Sequence, residues 1–140
     1  MTIKDHVKAS GTSNPLASGS IKAAEAMVIP GEEVLFAMTG NVALSATGTL
    51  VVDPFDLKDK LNGVIAITNK RILYCSNIMM NKVSKYILIK DITSVDDRMN
   101  GLLAMGQVRV AGISETLVID ITKKALEMFQ QALFAARSMA

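Results

Sequence analysis

The feature that most limits the fold is a pair of apolar runs set two residues apart. Gly63-Val64-Ile65-Ala66-Ile67-Thr68 and Arg71-Ile72-Leu73-Tyr74-Cys75 are separated only by Asn69-Lys70. Their β-branched and aromatic side chains suit a pleated surface and lose rotamer freedom on a helix. A two-residue link has room only for a hairpin turn, and Asn tolerates the positive φ that such turns use. A chain built on this hairpin must pair strands to either side of it, so antiparallel β structure is the starting point.

The rest of the chain is read around that hairpin. Residues 1–19 are rich in Ser, Gly, Lys and Thr and read as a mobile N-terminal arm, with residues 20–140 as the folded domain. Ser20 is placed to cap a short helix over Ile21–Val28, stopped by Pro30-Gly31. Glu33–Met38 reads as a strand ended by Gly40. Residues 41–60 read as an insertion with some β character and a turn-rich loop from Asp53 to Lys60, where Pro54 excludes a central strand. After a polar turn at Asn77–Asn81, further strands are expected at Val83–Ile89, Ile92–Met99, Leu102–Val110 and Thr116–Ile119. The chain closes with a helix capped by Thr122. Ala125, Leu126, Phe129, Ala132, Leu133 and Ala136 recur at i, i+3, i+4 and i+7 and must cover an apolar surface.

The totals exclude several classes. Half of the 140 residues are hydrophobic and 20% are charged, which is not the composition of a disordered chain. Cys75 is the single cysteine and His6 the single histidine, so an internal disulfide and the common zinc sites are excluded. The first residues lack the apolar core of a secretion signal, and no stretch approaches a membrane-spanning length, so a cytoplasmic location is expected.

Catalytic sets are also missing. His6 sits in the expected arm without an orienting partner, and Cys75 in a strand beside Tyr74 reads as an inert buried thiol. No glycine-rich phosphate loop occurs. Asp53, Asp56 and Asp59 recur every third residue but do not follow the spacing of a calcium loop, so they read as a solvated turn. The chain is read as a non-enzyme with no metal and no cofactor.

Charge is unevenly spread. Between Lys58 and Lys90 lie Lys58, Lys60, Lys70, Arg71, Lys82, Lys85 and Lys90, with Asp59 as the only acid. Lys58, Lys60, Lys70, Arg71, Lys82 and Lys85 are therefore candidates for an anion or lipid-headgroup face, with lysines guarding edge strands as the plainer reading. Nucleic acid is disfavoured because no aromatics are interleaved with these cations. On the last helix Phe134 lies about 140° from Phe129 and Met128 about 100° on the other side, at roughly 100° per residue. Phe134 and Met128 are accordingly candidates for a contact between copies in a homo-oligomer.

Several short motifs resemble those of bacterial pleckstrin-homology-like domains, closest to the YokE-like branch and similar also to GRAM domains. They are Gly63, the run Thr68-Asn69-Lys70-Arg71-Ile72-Leu73-Tyr74, the stretch Ile87 through Val95, and the opening Pro30-Gly31-Glu32-Glu33. The resemblance spans roughly residues 28–137 and implies a mainly β fold. Its expected form is a partly open antiparallel barrel of about seven strands, capped by a C-terminal amphipathic helix, with a short N-terminal helix added. It implies a binding module, for a protein partner or for self-assembly, with an anionic membrane surface as the alternative. The segment 41–60 would then alter the loop in which eukaryotic relatives hold phosphoinositides.

Overall fold

The computed structural model describes residues 1–47, 60–100, 102 and 105–139. Two helices open the chain, α1 (Ile3–Ser10) and α2 (Ser18–Met27), joined through a 3-10 turn at Pro15–Ala17. Seven strands follow: β1 (Val34–Ala46), β2 (Lys60–Thr68), β3 (Arg71–Ile78), β4 (Asn81–Leu88), β5 (Ser94–Asn100), β6 (Met105–Ala111) and β7 (Glu115–Thr122). Helix α3 (Lys123–Met139) ends the chain. The strands form one antiparallel sheet in the order β4-β3-β2-β1-β7-β6-β5. This is the expected fold class: an open seven-stranded antiparallel sheet closed by a C-terminal helix.

β1 is the hinge of the sheet. Its first part pairs with β2, from Val34 to Ala43, and its last part pairs with β7, from Val42 to Ala46. Gly40 does not end the strand, as the sequence suggested; it lies opposite Gly63 in register. A Cβ on Gly63 would come within 2.6 Å of the Cys75 carbonyl oxygen and 2.8 Å of the Tyr74 ring, so only glycine fits there. Residues 41–46 thus belong to β1 and not to an insertion. Of the loop expected from Asp53 to Lys60, Lys60 opens β2 and the rest lies outside the described residues.

The inner face of the sheet carries the main core. Phe36, Met38, Ile65, Ile67, Ile72, Tyr74, Ile87, Leu117 and Ile119 meet the α3 stripe of Ala125, Leu126, Phe129, Ala132, Leu133 and Ala136. Every residue of that stripe is buried, as its spacing required. Phe129 meets Phe36 edge to face at 6.0 Å between ring centroids. The Thr122 hydroxyl accepts from the Ala125 N–H and caps the helix.

The outer face of β1, β2 and β3 is covered too, which corrects the reading of residues 1–19. Ile3 and Val7 of α1 and Ala23 and Ala24 of α2 pack on Ala37, Val64, Ala66, Leu73 and Cys75. α1 is a formed helix with a capping box: the Thr2 hydroxyl accepts from Asp5 N–H, and the Asp5 carboxylate accepts from Thr2 N–H. The second of these bonds, first among the causes, holds the Asp5 carboxyl below its ordinary range. α2 starts three residues earlier than expected, and Ser20 does not cap it. The buried Ser20 hydroxyl instead accepts from Asn77 N–H at 2.9 Å, tying the helix to β3. β2 and β3 are apolar on both faces because helices lie on both faces.

Candidate functional site

The tightest polar cluster joins the two motifs that the sequence showed separately. The Glu32 side chain is fully buried and the Arg71 side chain nearly so. Arg71 Nε donates to Glu32 Oε2 at 2.8 Å and Nη2 to Oε1 at 3.0 Å, a two-point pairing. Nη2 also donates to the Met27 carbonyl at the end of α2. The Thr68 hydroxyl donates to Glu32 Oε2 at 2.7 Å, and Ile29 N–H donates to Oε1. Asn69 completes the knot: its Oδ1 accepts from Glu33 N–H at 2.8 Å, and its own N–H donates to the Glu33 carbonyl. Burial opposes ionisation of Glu32, but the bonds from Arg71, Thr68 and Ile29 together hold its carboxyl below the ordinary value. Arg71 is raised by its hydrogen bonds to Glu32.

This knot corrects the mechanism of the β2–β3 turn. Among the described residues, those with left-handed backbone outside glycine are Met79 and Met80, not Asn69. Thr68 makes the turn, its hydroxyl accepting from the N–H groups of Lys70 and Arg71. Asn69 instead holds Glu33, the residue just before β1.

The expected basic face is dispersed. Lys60 pairs with Asp120 at 3.0 Å, Arg71 with Glu32, and Lys85 with Glu115 at 3.3 Å. Lys70 and Lys82 are exposed and have no ion pair among the described residues. They stand near opposite ends of β3: Lys70 directly precedes it, and Lys82 on β4 lies opposite Asn77. The separation along the strand is about 20 Å at roughly 3.3 Å per residue. Lys58 lies outside the described residues. Among the described residues, no group of three or more His, Cys, Asp or Glu side chains is arranged to hold a metal. No described helix is long and apolar enough to cross a membrane.

Two exposed apolar features stand out. Met79 and Met80 form the two-residue turn between β3 and β4, with φ of 51° and 69°, and are 91% and 97% exposed. Phe134 on the outward side of α3 is 76% exposed, beside Glu127, Gln130 and Gln131. Met128 is half-buried and packs against the inner core. Neither Met79 nor Met80 was singled out in the sequence, because the segment Asn77–Asn81 looked like an ordinary polar turn. Two β runs split by Met-Met, with no Gly or Pro, were the available signal. Cys75 is fully buried, as expected of an inert thiol, and burial raises the Tyr74 hydroxyl, which donates to the Leu61 carbonyl.

These features sit on a recognised scaffold. The model of the bacterial PH domain family matches residues 28–134, and the chain belongs to that family. Its fold is similar to that of the Vps36 N-terminal PH domain, with a TM-score of 0.50 and 18% identity over 79% of this chain and 82% of that one. It is also similar to the PH domain of USP37, with a TM-score of 0.52 and 14% identity over 74% of this chain and 98% of the other. No curated protein matches the sequence. PH-like domains commonly mediate binding and are generally not catalytic. Helices α1 and α2 precede the family-matched segment and are an addition to it.

Proposed function

We propose that this chain is a non-enzymatic protein-interaction module. The observation that carries the reading is the Met79–Met80 turn. A two-residue hairpin with left-handed backbone is cheapest with Asn-Gly, and an ordinary side chain there costs roughly 1–2 kcal/mol per residue. Here the strained turn displays two long apolar side chains in water. Burying such side chains against a partner returns about 1.5–3 kcal/mol each, and Met adapts to irregular surfaces. A cytoplasmic setting belongs to this reading.

Self-assembly is one form of the same function. Phe134, 76% exposed, supports it, whereas Met128 spends its contacts on the core. The peripheral-membrane alternative is supported by the free Lys82 close to the Met79–Met80 tip. Against it, Lys60, Arg71 and Lys85 are all paired within the chain. A headgroup site needs several free cations converging on one point.

Crosslinking in the native cell tests the proposal. The wild type should give a specific crosslinked protein partner, and Met79→Asp with Met80→Asp should lose it while melting at a similar temperature. A crosslinked product unchanged by the double substitution overturns the assignment of this turn.

A further inference from the structure

β4 is the last strand in the sheet order, so one of its sides pairs with β3 and the other with no strand among the described residues. The turn decides which backbone groups face outward. In a two-residue hairpin the residues that close the turn, here Ile78 and Asn81, exchange both backbone bonds. Bonded and unbonded positions then alternate. Asn81, Val83, Lys85 and Ile87 use their N–H and C=O groups on β3, and Lys82, Ser84, Tyr86 and Leu88 point theirs away. The bond from Ile89 N–H to the Lys70 carbonyl, 2.9 Å, keeps the same alternation past the end of the strand. Among the described residues, the outward groups of Lys82, Ser84 and Tyr86 have no hydrogen-bond partner, while the Leu88 carbonyl opens the 3-10 turn Ile89–Asp91 and leaves its N–H outward.

This edge begins at the exposed Met79–Met80 turn. Along its second half a groove of about 450 Å³ separates Ser84–Leu88 from the β6–β7 turn, where Ile113 is 67% exposed. Tyr86 is half-exposed, with the Arg71 guanidinium 5.2 Å from its ring centroid. Asp91 and Glu115 also line the groove, and Glu115 is held by Lys85. Among the described residues, Lys82 has no acid against it. Two lysines on one edge set like charge against like when two copies approach β4 to β4, which disfavours that pairing. The same charges suit a strand that brings carboxylates.

We propose that the outer edge of β4 accepts an extended acidic segment of a partner protein as an added strand, with a carboxylate at Lys82. The outward groups of Lys82, Ser84 and Tyr86 and the Leu88 N–H supply the main-chain bonds, and alternate side chains of the segment meet Tyr86 on one face and Ile113 on the other. This inference rests on the protein-interaction reading and narrows it to one surface.

Amide hydrogen exchange on the full-length, nitrogen-15-labelled chain provides the test. The probe is a blocked peptide of about ten residues alternating Glu and Val, at millimolar concentration, with the Lys-Val peptide as its counterpart. The acidic peptide should slow exchange about tenfold at Lys82, Ser84, Tyr86 and Leu88 and leave Val83, Lys85 and Ile87 unchanged. That alternation is a signature of strand addition which side-chain binding does not give. Lys82→Glu should transfer the preference to the Lys-Val peptide. Ser84→Pro removes an outward N–H only, so it should keep the wild-type melting temperature and lose the protection. Unchanged or uniformly changed exchange overturns the edge assignment, and equal effects of the two peptides overturn the acidic preference. If exchange is unchanged but the Met79→Asp, Met80→Asp variant still loses its crosslinked partner, the edge inference fails and the module reading stands. If both signals are missing, both fail. Slowing by anionic vesicles in place of the peptide overturns both in favour of the membrane.

Discussion

Replacing Arg71 by Ala separates a structural role from a ligand-binding one. The substitution strips two donors from Glu32, whose side chain has no exposure, and leaves it the Thr68 hydroxyl and the Ile29 N–H. Removing one partner of a buried ion pair costs about 3–5 kcal/mol, because the other charge is left buried and uncompensated. The two remaining donors put the expected loss near the lower end, about 3 kcal/mol, and the orphaned Met27 carbonyl adds about 1 kcal/mol. Urea titration at neutral pH measures it, with an unchanged slope confirming a shift in stability alone. Glu32→Gln removes the charge and should cost less. The double variant should be less unstable than the sum of the singles, since Gln leaves no buried anion. A loss below about 1 kcal/mol for Arg71→Ala would refute the reasoning and return Arg71 to the pool of cations available to a ligand.

Three further outcomes follow from the packing and the titrating groups. Deleting residues 1–11 should cost about 3–5 kcal/mol by thermal or urea unfolding, because Ile3 and Val7 are 1% exposed and each is worth roughly 1.5–3 kcal/mol; an unchanged midpoint would make α1 dispensable. Phe129→Ala should cost about 3–5 kcal/mol, since the ring is fully buried against Phe36; a loss under about 1 kcal/mol would mean that α3 does not dock as described. Acid should weaken the fold in two windows. His6 is depressed below its ordinary 6.5 mainly by burial, so the unfolded chain takes its proton first and stability falls as pH drops through that value; His6→Gln should flatten this window. Glu32 is depressed below its ordinary 4.5, so its contribution is present above that pH and is lost as pH falls through the lower folded value; Glu32→Gln should remove that step.

Much of the fold was legible because local chemistry and tertiary structure agree. The α3 stripe, the Thr122 cap and the two-residue spacing of the β2–β3 hairpin each carry over into the fold, although Thr68 and not Asn69 makes that turn. Helix α1 was missed because Ile3 and Val7 are too few to mark an amphipathic stripe in a polar segment, whereas α2 was expected within three residues of its start. The clue lay elsewhere, in β2 and β3. A half-buried strand alternates apolar with polar, but Val64 through Ile67 and Ile72 through Cys75 are apolar at every position, which calls for cover on both faces. The basic window looks different in the fold for a related reason. Sequence proximity gathers Lys60, Arg71 and Lys85, while their partners Asp120, Glu32 and Glu115 come from distant segments that only the folded sheet brings near. The turn at Asn77–Asn81 was expected, but its exposed Met79–Met80 tip was not, because turn chemistry favours Asn and Gly and this turn goes against that preference.

Whether the exposed tip and the dispersed cations serve a protein or a bilayer is decided most directly by co-sedimentation of the full-length chain with vesicles. Vesicles of phosphatidylcholine alone are compared with vesicles containing phosphatidylserine, at low and at physiological salt. The expected result is no more protein with the anionic vesicles than with the neutral ones at physiological salt. Anionic-vesicle binding that falls with added salt and is lost in Lys82→Ala or Met80→Asp would contradict the protein-interaction reading.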